Sequence, residues 1–287
     1  MPLLRCPDVT VRSRRLTWAV VLLLAVGVVI WGSLRAAVRA SGLPTTTALA
    51  LLTGVSWGPE NTCPVCGQRS AFLAFGNPPR SRALCRNCFS LDRHRLLYLY
   101  LKERTNLFTD RLSVLHFSPE RGLRAILSET PTLTYRTSWY EADRPADYHL
   151  DLTDLDLPDQ GWDVVIAYHI FEHIPDDRKA MREMYRVLKP GGWAVLQVPV
   201  REGPSLEDPS VTTEDERTEL FGQHDHVRYY GWQDFADRLS EAGFAVTIER
   251  FGREVSEALV GEYALNPNER IYVARKPPPA APLQGVD

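Results

Sequence analysis

The chain lacks a charge excess of either sign. Its 33 Lys and Arg stand against 36 Asp and Glu, for a formal net charge of −3 over 287 residues. Bulk attraction to a polyanion is therefore excluded as its organising principle. No internal repeat is present, which excludes solenoids and propellers. Cysteines spread as in a disulfide-stapled secreted domain are also missing: of 5 cysteines, Cys6 stands alone and the others form two tight pairs, Cys63/Cys66 and Cys85/Cys88. Such pairing reads as metal binding before disulfides. Charge is absent altogether between Arg15 and Arg35.

That uncharged run, LTWAVVLLLAVGVVIWGSL, would span roughly 28 Å as a helix, near the ~30 Å hydrocarbon core of a bilayer. Trp18 and Trp31 sit near its ends, where indoles favour the membrane interface. The expectation is a single-pass anchor over residues 16–34, with a signal peptide as its rival. Arg5, Arg12, Arg14 and Arg15 precede it and Arg35 and Arg39 follow, so the positive-inside rule points outward. Four thiolates point inward, and the domain that follows is expected in the cytoplasm. A mis-assigned start, with the first ~55 residues artefactual, leads to the same compartment without the anchor.

Residues 41–60 read as a linker with Gly and Pro breakers. Cys63-Pro-Val-Cys66 and Cys85-Arg-Asn-Cys88 then form two CxxC knuckles in a module spanning 61–107. Four thiolates suit one tetrahedral, structural Zn²⁺ with no open position, and Gly67 suits the tight turn after the first knuckle. Redox thiols and an iron–sulfur cluster are the alternatives. The module carries Arg80, Arg82, Arg86, Arg93, Arg95, Lys102 and Arg104. A solvated basic face is the preferred reading and a nucleic-acid contact the lesser one, as no aromatic platform accompanies it. A helix is predicted over Leu91–Leu107.

From Arg111 short apolar runs alternate with amphipathic segments. Predicted strands are Leu112–Phe117, Thr132–Ser138, Tyr148–Leu150, Val164–Tyr168, Trp193–Val198, Ala245–Phe251 and Ile271–Ala274. Predicted helices are Leu123–Glu129, Asp176–Leu188 and Trp232–Ala242. This alternation implies an α/β domain over 108–276 with a doubly wound, mostly parallel, seven-stranded sheet. The Pro-rich residues 277–287 read as a disordered tail.

The stretch from Tyr148 to Val200 carries the chemistry. Asp151 ends a short strand at the ligand edge of an open α/β sheet, where a carboxylate can accept from an exocyclic amine such as that of adenine. Asp163 opens the buried strand VVIAY, after which His169, Phe171, Glu172 and His173 face the same crevice. Pro175, Asp176 and Asp177 suit a helix start. Lys189-Pro190-Gly191-Gly192 stops that helix.

This order resembles the class I S-adenosylmethionine-dependent methyltransferase family, in its small-molecule-type subgroup carrying HxxEHI…RVLKPGG. The likeness runs from Leu112 to Ala274. It implies a Rossmann-like fold, methyl transfer from S-adenosylmethionine, and Asp151 and Leu152 beside the adenine. Two departures stand out. The family's GxGxG loop is replaced by His116-Phe117-Ser118-Pro119-Glu120, similar to a zinc-knuckle subgroup with LHFxPE preceded by CPxCG…LCxxC…LxRHR. Those four loop residues other than proline, with His169, are the implied cofactor contacts. Trp139 stands where an acid usually binds the ribose, with Asp143 preferred over Glu141 as its substitute.

The insertion 201–231 is acidic first and then reads FGQHDHVRYYGW. His224 and His226 are candidate general bases, with His169 beside the crevice. A lid, or a His-x-His metal site, is the alternative, and a GQxDHVRxYG segment recurs in the same subgroup. The expected acceptor is a small or lipid-linked molecule. RNA methylation, motivated by the basic run, and a non-catalytic binding module, motivated by the lost glycines, are the competing readings. The oligomeric state is not legible.

Overall fold

A computed structural model describes residues 59–76 and 78–279. The anchor segment 16–34, Cys6, most of the linker and the end of the tail lie outside these residues. One expectation is corrected. Among the described residues no helix is long and apolar enough to cross a membrane, and the single-pass membrane assignment is withdrawn. The helices present run at most to the 13 residues of Asp92–Arg104, too short at ~1.5 Å per residue for a bilayer core.

The described residues divide into two units, 71–76 with 78–86, and 60–70 with 87–279. In the first, β3 (Leu73–Phe75) pairs antiparallel with β4 (Arg80–Leu84), joining Leu73 to Leu84 and Phe75 to Arg80. Phe72, Leu73, Ala83, Leu84 and Cys85 are buried.

The second unit begins with β1 (Glu60–Thr62) and a turn in which the Gly67 N–H donates to the Cys63 carbonyl at 2.8 Å. Gly67 has φ of +69°, which explains a glycine there. The strand β2 (Arg69–Ala71) and helix α1 (Asp92–Arg104) follow. The central sheet consists of β5 (Leu112–Phe117), β6 (Leu133–Trp139), β7 (Tyr148–His149), β8 (Trp162–Tyr168), β9 (Leu188–Gln197), β12 (Ala245–Glu249) and β13 (Ile271–Arg275). Their order is β12-β13-β9-β8-β5-β6-β7, and only β13 runs antiparallel to its neighbours. This is the mostly parallel seven-stranded sheet expected from the alternation.

Both faces are covered. Leu115, Phe117, Val165, Ala167, Ala194 and Leu196 enter one core with α3 (Asp177–Val187) and α5 (Trp232–Glu241). Val114, Val164, Ile166, Trp193 and Val195 enter the other with α1 and α2 (Arg121–Ser128). Successive side chains alternate between the two, as strand geometry requires, and burial on both sides explains the unbroken apolar runs. At the amino end of β8, Asp163 accepts from Ser113 and from the Lys189 ammonium at 2.7 Å, tying β5, β8 and β9 together far from the ligand edge.

The insertion has more structure than its composition suggests. It contains β10 (Val200–Arg201) paired with β11 (Tyr230–Gly231), and helix α4 (Glu214–Phe221). Thr213 and Glu216 cap α4 reciprocally. A further helix, α6 (Glu257–Tyr263), precedes β13.

Candidate active site

From β5 the chain moves outward through β6 and β7 and then returns to β8 on the other side. The carboxyl ends of β5 and β8 therefore bound the switch point, where ligands of open α/β sheets bind. Two non-glycine residues there have left-handed backbones: Ser118 (φ +46°) after β5 and His169 (φ +53°) after β8. Such a conformation costs roughly 1–2 kcal/mol outside glycine. Ser118 thus adopts the backbone that a glycine-rich loop would supply. Its N–H donates to the Ser138 carbonyl at 2.8 Å, and the His169 N–H donates to that of Gln197 at 2.8 Å.

Behind the β5 loop lies a closed polar network. The buried His116 ring meets the Tyr135 hydroxyl at 2.9 Å through Nδ1 and the Glu120 carboxylate at 3.1 Å through Nε2. The other Glu120 oxygen lies 3.6 Å from His94 Nε2, and His94 Nδ1 accepts from the Leu91 N–H at 3.3 Å. Burial pushes His94 down to about 3, against the pull of Glu120. Burial alone would raise Glu120, yet the two imidazoles hold it down at about 2.

The β8 loop differs. His169 Nδ1 lies 2.9 Å from one oxygen of the buried Glu172, while His169 Nε2 and the second Glu172 oxygen have no protein partner. The same holds for Ser138 Oγ, Tyr168 OH and Gln197 Oε1, all buried at the ends of β6, β8 and β9. Burial holds His169 well below the usual imidazole range, with Arg93 adding to it, and raises Glu172.

His226 packs edge-on against His173, with ring centroids 4.8 Å apart, and its Nδ1 lies 3.1 Å from the Phe221 carbonyl. The Val227 N–H donates to the Glu172 carbonyl at 2.9 Å. Arg228 donates to the carbonyls of Phe171, Ile174 and Pro175 and pairs with Glu207 at 2.7 Å. Arg238 joins Asp177 to Glu207, each at 2.6 Å. His224 is exposed, 3.9 Å from Asp225, and is not drawn into this group. Of the candidate bases, His226 and His169 thus flank Glu172 and His173 while His224 stays outside.

Among the expected cofactor contacts, Phe117 and Leu152 are buried, and Ser118 sits at the switch point. His116 and Glu120 are engaged with one another. Asp151 is exposed, with Oδ1 accepting from the Thr153 N–H and hydroxyl at 2.8 Å, and Asp143 is exposed in a turn. Sequence reasoning missed Tyr135, Ser138, Tyr168 and Gln197. A polar residue closing an apolar strand was the signal available for the last three.

At the knuckles, Cys63, Cys66 and Cys88 of the larger unit hold their sulfurs within 4.8 Å of one another. Ser90 Oγ lies 3.2 Å from both Cys63 and Cys88. Burial pushes the Cys66 thiol up to about 11. Gly122 opens the β5-following helix against this turn: a Cβ there would meet Val65 at 2.9 Å and the Cys88 sulfur at 3.4 Å. The basic run is partly committed to structure. Arg95, fully buried, donates to the carbonyls of Ser90, Tyr263 and Ala264, and Arg104 pairs with Glu254.

Residues 132–196 match the sequence model of a family described as methyltransferase domain. A 53-residue stretch is 40% identical to a probable S-adenosylmethionine-dependent methyltransferase of Mycolicibacterium smegmatis, covering 18% of this chain and 21% of that protein. A 67-residue stretch is 33% identical to ajmaline N-methyltransferase of Rauvolfia serpentina, covering 23% of each. The chain thus spans under a quarter of the length of these curated relatives. An S-adenosylmethionine-dependent methyltransferase structure from Mesorhizobium loti is similar at 15% identity and a TM-score of 0.44, over 64% of this chain and 97% of that one. The family match falls on the part of the sheet that runs from β6 to β9, so this stretch resembles a methyltransferase domain.

Proposed function

We propose that the chain transfers a methyl group from S-adenosylmethionine to a nucleophile on a small-molecule acceptor held at the carboxyl ends of β5, β6, β8 and β9. One observation carries this reading: Ser138 Oγ and Tyr168 OH are buried and without a protein partner at that edge, beside the facing side chains of His169 and Gln197. Each such atom costs about 1–3 kcal/mol, which a polar ligand recovers. The lipid-linked acceptor rested on the membrane assignment and is dropped with it.

When bound, the cofactor supplies an electrophilic methyl group. The chain's residues do the rest. Ser118 shapes the loop beside it, Asp151 and Leu152 take the adenine side, and Asp143 takes the ribose. His116 and Glu120 hold the loop's form. With Glu172 accepting from Nδ1–H, His169 stays neutral and presents Nε2 as a lone pair that accepts a hydrogen bond from an acceptor hydroxyl or amine and orients it for attack. His226 backs this group through His173.

Calorimetry of the full chain with S-adenosylmethionine tests the reading, and absence of binding overturns it. Binding without turnover on a panel of small nucleophiles favours a non-catalytic module instead.

We further infer one structural Zn²⁺ held by Cys63, Cys66, Cys85 and Cys88. Its support is the paired CxxC spacing together with the clustered sulfurs of Cys63, Cys66 and Cys88. Metal analysis of the purified chain should find one zinc that Cys88→Ser releases. Zinc-free protein of unchanged melting temperature counts against it.

A further inference from the structure

We propose that Glu172, His173 and His226 form a second metal site, for a divalent first-row transition ion such as Zn²⁺, Mn²⁺ or Co²⁺, with coordination positions left open to a ligand. One donor atom from each lies within 4.8 Å of the others. On a single ion with bonds of ~2.1 Å the donors stand roughly 3–4 Å apart. The closure required is small, and His173, at 31% side-chain exposure, has room to turn.

Three observations support a built site. Glu172 is 1% exposed, and its second oxygen has no protein partner. Both imidazoles have their Nδ1 atoms engaged by oxygen: that of His226 by the Phe221 carbonyl at 3.1 Å, that of His173 by the Asp225 carboxylate at 3.1 Å. With Nδ1 donating in each ring, Nε2 is the lone-pair nitrogen, the tautomer that backing oxygens impose on metal-binding histidines. Finally, the donors come from two segments already pinned together, by the Val227 N–H on Glu172 and by Arg228 on its neighbours.

Two imidazoles and one carboxylate favour a borderline transition ion over Mg²⁺ or Ca²⁺, which prefer all-oxygen shells. Three protein ligands leave positions for an acceptor oxygen or water. The site does not depend on the methyl-transfer reading, because metal uptake is measured directly.

The experiment is a Co²⁺ titration of the full chain, followed by optical absorption and metal analysis. Thiolate-bound cobalt gives intense sulfur-to-metal charge transfer, whereas a His/carboxylate site gives only weak d–d bands. The expected result is one equivalent of the second type, lost in Glu172→Gln and His226→Ala with the thiolate band unchanged. Asp225→Asn, at an exposed position that need not disturb folding, should weaken it about 10-fold. A wild-type chain showing only thiolate-bound cobalt overturns the proposal, as does uptake unaltered in all three variants.

Discussion

Two histidine–glutamate groups sit beside the same sheet edge and are completed in opposite ways. In the group of His94, His116 and Glu120, every ring nitrogen and both carboxylate oxygens face a partner. In the group of His169, Glu172, His173 and His226, one nitrogen and one oxygen are buried with none. Similar side chains thus serve two ends. A satisfied network rigidifies its surroundings, whereas an unsatisfied one forgoes stability in return for something to bind.

The sharpest way to break this contrast is in catalysis. His169→Ala should lower kcat by roughly 10²–10⁴-fold on any accepted nucleophile, with S-adenosylmethionine affinity nearly kept. Steady-state kinetics paired with calorimetry reads both. Equal activity would remove the distinction at its centre.

Stability should run the other way. Glu120→Ala strips the carboxylate from two buried imidazoles and should cost about 3 kcal/mol in denaturant unfolding. Glu172→Gln, at a carboxyl that burial already raises, should change stability by under about 1 kcal/mol. Comparable losses would mean that both groups are braces.

Acid adds a third probe. The unfolded chain protonates His94 below its ordinary 6.5, while the folded chain does not until about 3. The unfolded state binds more protons across that window, so stability falls as pH drops through it, by about 1.4 kcal/mol per unit. The contribution of Glu120, lowered from 4.5 to about 2, is present above 4.5 and lost toward 2. Urea midpoints measured at descending pH should slope downward in wild type and less steeply between pH 6.5 and 4.5 in His94→Gln, where the other lowered groups keep part of the slope. A flat wild-type profile contradicts the closed network.

The smallest effect belongs to the loop between the groups. Ser118→Gly removes the left-handed penalty and should stabilise by roughly 1 kcal/mol, read as a higher melting temperature. A loss there would show that the serine side chain holds the loop.

Much of the fold was legible. β5 falls on its predicted bounds because an apolar run ends at polar residues and a proline on both its flanks' terms, Arg111 and Pro119. β9 begins earlier than predicted, at Leu188, because Lys189–Gly192 continues the extended ladder, with the Lys276 N–H donating to the Gly192 carbonyl and the Gly191 N–H to that of Lys276. The predicted strand through Phe251 stops at Glu249, where Phe251–Arg253 turns into a 3-10 segment. Helix α4 escaped because its acidic face has no apolar period, though its Thr213/Glu216 cap was readable. In the site, the residues after β8 were found from the motif itself. What local sequence does not encode is pairing at distance: His94 with Glu120, and His226 with His173, meet only through the sheet's crossovers.

The grip of residues 227 and 228 on Phe171–Pro175 has a consequence for anyone recombining such domains. These two stretches, more than fifty residues apart in sequence, behave as one interchangeable part. A chimera that imports a foreign segment after β8 but keeps this insertion would leave a buried guanidinium facing mismatched carbonyls. A workable crossover point lies before Trp162 or after Gly231, and a donor should contribute both stretches together.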